Sequence, residues 1–233
     1  VELSRGKGEV LVGAGDAGFA RTRDRIRYIN NFDVDGVAVL APYFWTFSQS
    51  ELVDYFKSLA DISKAPLYLY DLPQVVGVGL TTQSMDELAK HSNIRGAKCS
   101  GDLKQTRQWI DRYGDDFRII IANVELMDMI AHHGFRELLD GMWAMAPAWT
   151  QGVAAAAQED DWTTAANYTR KVTEVREVLV QRGMHAFTVY MNARGIPGRF
   201  APQPFKRLTE AQREEILALP ITQELVHDNP LKE

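Results

Sequence analysis

A single cysteine, Cys99, in 233 residues leaves no internal disulfide framework to build, and no Cys/His spacing resembles a zinc site. Positive charge is also in short supply. Against 31 Asp and Glu stand 26 Lys and Arg, and no basic cluster escapes its acidic neighbours, so the footprint of a nucleic-acid binder is missing. No apolar run approaches the ~20 residues needed to span a bilayer, and the start of the chain lacks a signal-peptide pattern. These absences predict a cytoplasmic protein in a reducing setting, with no nucleic-acid partner, no membrane and no metal. There is no initiator methionine either, and "VELSRGKGEVLVGAGD" reaches a buried-looking strand within ten residues, so the expectation is that something upstream is missing.

What is present is a balanced globular composition, 45% hydrophobic and 24% charged. Short apolar runs bounded by turn residues recur at 9–15, 36–42, 66–73, 94–100, 117–123 and 140–147. Their continuous apolar character suits strands buried on both faces of a parallel sheet. Between them lie helical periods at about 18–31, 48–63, 81–91, 103–113 and 124–134. In "SQSELVDYFKSLADI", Ser48 is placed to cap, Glu51 follows three residues on, and Leu52, Tyr55, Phe56 and Leu59 share one face. Further helices are expected at 151–157, 160–182, 184–193 and 209–218.

This alternation predicts an α/β chain: six βα units over 1–150, followed by a helical region over 151–233, describing most of a (β/α)8 barrel. The rival is an open doubly wound sheet. "GAGDAG" at 13–18 gives only part of a dinucleotide fingerprint, with no acid closing a second strand.

In a barrel, reactive groups sit at the C-terminal ends of the strands. Those ends carry Tyr43 and Phe44, Tyr70 and Asp71, Lys98 to Ser100, and Asn123 to Glu125. Lys98 is either a solvated loop lysine or an amine whose loss of hydration readies it to attack a carbonyl. Tyr70 is either a packing residue or a proton shuttle beside it. Strand alternation turns Cys99 away from Lys98 into the core. His132 and His133 read as cap or surface groups.

"GVAVLAPYFWTFSQSELVDYFKSLADISKAPLYLYDLPQVVGVGLT" and "NIRGAKCSGDL" resemble the dihydrodipicolinate synthase and N-acetylneuraminate lyase family of class I aldolases. The shared pattern is a Pro-Tyr pair after one strand, a Tyr-x-x-Pro turn after the next and a lysine ending the third. The resemblance implies a (β/α)8 barrel with extra C-terminal helices, usually tetrameric, acting on a small 2-oxo acid. It makes Lys98 the Schiff-base lysine and Tyr70 the proton shuttle, with no cofactor beyond the covalent imine on Lys98. It also implies that the family's first two βα units lie before Glu9 and are absent here.

Departures from the family narrow the substrate. Phe44 replaces a hydroxyl-bearing tyrosine, and Val75 stands where the synthases carry an arginine that grips a substrate carboxylate. Loss of that charge-assisted contact, worth about 1.5 to 3 kcal/mol, disfavours the condensation of pyruvate with aspartate semialdehyde. The "KCSG" turn is one residue short, and "ANVE" replaces a Gly-Asp pattern, so Asn123 and Glu125, with Tyr43 and Phe44, become substrate-binding candidates. The expectation is a lyase acting on a 2-oxo-3-deoxy sugar acid or a sialic-acid-like compound. The alternatives are the synthase reaction, an imine-dependent dehydratase, or a catalytically silent barrel that binds a 2-oxo acid.

Overall fold

Five of the apolar runs form strands, and the sixth does not. The structure, a computed structural model, describes residues 1–135 and 137–230, and it divides into two units, 1–122 and 123–233. The first unit runs β1 (Leu11–Gly13), α1 (Phe19–Ile29), β2 (Gly36–Leu40), α2 (Gln49–Ala60) and β3 (Leu67–Asp71). It continues through α3 (Pro73–Val76), α4 (Thr82–Leu88), β4 (Ile94–Cys99), α5 (Leu103–Tyr113) and β5 (Arg118–Ile121). The strands are parallel and ordered β1-β2-β3-β4-β5. Because that order never reverses, the sheet has no switch point, and the dinucleotide-binding reading of "GAGDAG" falls. Asp16 of that segment is instead buried and paired with Arg25 at 2.6 Å.

The expected capping box of α2 is present, with Ser48 and Glu51 exchanging hydrogen bonds, and its apolar face of Leu52, Tyr55, Phe56 and Leu59 is buried. That face packs in one core with Val37 and Val39 of β2, Leu67 and Leu69 of β3, and Ala97 and Cys99 of β4. Alternation therefore sends Tyr68, Tyr70, Gly96 and Lys98 to the opposite face of the sheet. Tyr68 pairs with Gly96 and Tyr70 with Lys98. The Tyr68 ring lies over two glycines, since a Cβ at Gly36 would come within 2.7 Å of it and one at Gly96 within 3.0 Å.

Gly96 has a second constraint, because its Cβ would sit 2.3 Å from the Arg118 carbonyl oxygen of the neighbouring strand. Backbone has no rotamer with which to yield. Gly96→Ala is expected to destabilise the protein by about 1 to 3 kcal/mol, read as a lower urea midpoint.

The second unit is helical: α6 (Met127–His132), α7 (Met142–Met145), α8 (Pro147–Gln158), α9 (Trp162–Arg182), α10 (His185–Ala193), α11 (Glu210–Leu217) and α12 (Pro220–Asp228). Here the expected strand at 140–147 is corrected, for Met142–Met145 is helix, and the first unit has five strands rather than the six expected over 1–150. The buried residues explain it. Met142, Met145, Ala146, Trp149 and Val153 recur at helical spacing and join one core with Val172, Val175 and Tyr190. A continuous apolar run of that length does not distinguish a buried strand from a buried helix. The terminal helix α12 went unforeseen, although Pro220 at its first turn and buried Ile221 and Leu225 mark it. His132 and His133 end α6 and are exposed, His132 stacking edge-on against Trp162. No helix of the described residues is long and apolar enough to cross a membrane.

Candidate functional site

The C-terminal ends of β3 and β4 bring an amine and a phenol together. Tyr70 and Lys98 are register partners, both half-buried on the sheet face opposite the helical core, and the Lys98 Nζ donates to the Tyr70 Oη at 2.6 Å. The Nζ also lies 4.0 Å from the centre of the Tyr70 ring, a position in which the ring's negative face favours a cation. The two groups are thus held at proton-transfer distance by strand pairing and not by a mobile loop.

The residues beside them face the other way and fix the two strand ends. Cys99 is 2% exposed, and burial followed by the nearby Asp71 charge pushes its thiol pKa up, so it is an inert core residue, as alternation requires. Asp71 is also buried. Its Oδ1 accepts from the Leu80 N–H at 3.0 Å, and burial raises its carboxyl pKa while that hydrogen bond opposes the shift. Sequence reasoning assigned Asp71 no role, though an acid closing an apolar strand just before Leu-Pro was the signal.

Around Asp71 the turns after β3 and β4 lock together. The Ser100 N–H donates to the Asp71 carbonyl at 2.9 Å, and Gln74 Nε2 donates to the Ser100 carbonyl at 2.8 Å. A Cβ at Gly101 would stand 3.1 Å from Pro73 and 3.3 Å from the Asp71 carboxylate, which is why the short "KCSG" turn carries glycine there. Ser100 Oγ, two residues beyond Lys98, is buried with no hydrogen-bond partner among the described residues. Gln49 braces the same region by donating to the Gly79 carbonyl and accepting from Thr81 N and Ser84 Oγ.

Tyr43 and Phe44 follow β2 on a loop and are 48% and 74% exposed, Phe44 meeting Trp45 edge-on at 5.1 Å. Val75 lies in α3 with its side chain exposed. Asn123 and Glu125 belong to the second unit. The Asn123 Oδ1 is buried without a hydrogen-bond partner among the described residues, whereas Glu125 is engaged in an ion pair with Arg176 of α9. Among the described residues no group of three or more His, Cys, Asp or Glu side chains is placed to hold a metal ion.

An amine against a phenol is an arrangement for carbonyl chemistry: the amine adds to a carbonyl carbon, and the phenol moves the protons that addition and water loss require. Known proteins resemble this chain over most of its length. The sequence profile of the dihydrodipicolinate synthetase family matches residues 1–221. The 4-hydroxy-tetrahydrodipicolinate synthase of Exiguobacterium sibiricum is 28% identical over 166 residues, 71% of this chain and 57% of that enzyme. The N-acetylneuraminate lyase of Escherichia coli is 24% identical over 235 residues, covering 94% of this chain and 74% of the lyase. A Sulfolobus 2-keto-3-deoxygluconate aldolase superposes with a TM-score of 0.85 at 21% identity, over 97% of this chain and 78% of the aldolase. The fold is therefore of the (β/α)8-barrel class expected from the strand and helix pattern. Matches to four such synthases span between 55% and 61% of those enzymes' lengths.

Proposed function

Because the chain belongs to the dihydrodipicolinate synthetase family, we propose that it is a Schiff-base lyase in which Lys98 is the nucleophile and Tyr70 the proton shuttle. The observation that carries the reading is the 2.6 Å contact between the Lys98 Nζ and the Tyr70 Oη on paired strands. The neutral Lys98 amine attacks C2 of a 2-oxo acid and gives a carbinolamine. Tyr70 supplies a proton to its hydroxyl, which leaves as water, and a protonated imine remains on Lys98. The resulting Tyr70 phenolate takes the proton from the C4 hydroxyl as the C3–C4 bond breaks. The bonding pair flows into the imine, an aldehyde leaves, and an enamine is left. Protonation of the enamine at C3 and hydrolysis then release pyruvate and the free lysine. Every step uses only the amine, the phenol and water, and the protonated imine on Lys98 is the electron sink.

Ser100 Oγ, buried and without a partner two residues beyond Lys98, is available to bind an oxygen of the substrate. Val75, at the position where the family resemblance puts a carboxylate-gripping arginine, offers no cation for a second substrate carboxylate. The substrate class that fits is a 2-oxo-3-deoxy sugar acid or a related sialic-acid-like compound, whose distal end bears hydroxyls.

The test is to follow pyruvate release. The protein is expected to release pyruvate from a 2-oxo-3-deoxy sugar acid and to show little condensation of pyruvate with aspartate semialdehyde. Faster condensation than cleavage would reverse the substrate assignment. An imine that forms without turnover of either substrate would make the chain a 2-oxo-acid-binding barrel, a reading that the exposed, hydroxyl-free Phe44 favours.

A further inference from the structure

The second unit contains a cleft of about 430 Å³ whose charge opposes that of the chain. Formal net charge is -5 over the whole sequence. The cleft wall nevertheless includes Arg199, Lys206, Arg207 and Arg213 and no acidic residue. Four cations gathered around one concavity repel one another, and a bound anion relieves that repulsion.

The cleft is built, not incidental. Helix α10 presents His185 and Thr188 one turn apart on the face that lines it. Thr188 Oγ1 accepts from the backbone N–H groups of Phe200 at 3.0 Å and Ala201 at 3.2 Å, which fastens the loop after α10 onto the helix. Arg199 tightens the same loop, its Nε donating to the Ala201 carbonyl at 2.8 Å and its Nη2 to the Phe205 carbonyl at 2.5 Å. Those bonds hold the guanidinium in place while leaving donors free. The capping box of Thr209 and Gln212 starts α11 and sets Arg213, whose Nη1 contacts Glu210 of the same helix at 3.0 Å. Lys206 and Arg207 make no hydrogen bond or ion pair among the described residues. The His185 Nδ1 is buried, again without a partner among them.

A guanidinium held by its own loop with donors free, two unpaired cations and Arg213 beside them describe a receptor for oxyanions. A cavity of this size holds a small metabolite and not merely one ion. We propose that residues 185–213 form a binding site for a small polyanion bearing two or more phosphate or carboxylate groups. The proposal involves no residue of the imine chemistry and stands or falls separately from it.

Pyrophosphate and citrate, titrated one at a time into the protein in low-salt buffer by calorimetry, test the site and its preference. At least one is expected to saturate at a single equivalent. The double variant Lys206→Ala/Arg207→Ala is expected to weaken binding by about tenfold or more. Both residues are exposed, so this variant removes charge without removing core packing. Arg21→Ala/Lys104→Ala removes the same charge from exposed positions in the first unit and is expected to change affinity by less than about twofold. Tighter binding of pyrophosphate assigns phosphate groups, and tighter binding of citrate assigns carboxylates. Failure of both to saturate overturns the proposal, as does equal weakening by the two double variants or none by the first.

Discussion

Lys98→Ala is expected to lower the rate of pyruvate release by about 10³-fold or more, the scale of losing the nucleophile in a covalent mechanism. The size of the effect follows from the absence of a substitute. Without the amine, no imine forms to accept the electron pair of the C3–C4 bond, and Tyr70 alone has only a proton to offer. A structural role for Lys98 predicts a different outcome. The side chain is half-buried, lies on the sheet face away from the helical core, and has Tyr70 as its partner, so its removal leaves the packed residues Ala97 and Cys99 in place. Circular dichroism and the urea midpoint of the variant should therefore stay close to those of the parent while activity disappears. Loss of both together would mean that Lys98 serves the fold.

Tyr70→Phe is expected to lower kcat by about 10²- to 10⁴-fold, the range for removing a positioned general acid and base. Here the ring stays and only the oxygen 2.6 Å from Nζ is lost. Lys98 can still add to the carbonyl, but the carbinolamine hydroxyl must leave without its proton donor. The imine should then accumulate slowly and not fail to form. A slowed single-turnover approach to the imine, with substrate affinity nearly unchanged, separates this from a packing defect. If kcat is unaffected, proton transfer belongs to another group and the shuttle role is wrong.

How these two residues came to be legible is a matter of strand periodicity. "IRGAKCS" and "PLYLYDLP" each read as a short buried strand, and alternation along a parallel pair puts Tyr70 and Lys98 on one face and Asp71 and Cys99 on the other. What periodicity does not contain is the distance between them, because that depends on the shift of pairing between Leu67 and Tyr68 that sets the register of β3 against β4. The 140–147 segment was illegible for another reason. Its apolar residues run without a break, and only the buried partners on α8 reveal the helical stripe through Met142, Met145 and Trp149. Glu125 shows the limit for charged residues, since its partner Arg176 lies on a helix far along the chain. The basic cleft was hidden likewise. Arg199, Lys206, Arg207 and Arg213 are spaced through a loop and a helix and only the fold gathers them.

The central claim is that the Lys98 amine forms an imine with a 2-oxo acid. Incubating the protein with pyruvate and sodium borohydride, then mapping peptides by mass spectrometry, tests it most directly. The account predicts an adduct on Lys98 with the mass of pyruvic acid less one oxygen atom, absent when borohydride is withheld and absent in Lys98→Ala. An unmodified Lys98 in the folded protein, or an adduct on a different lysine, would contradict it.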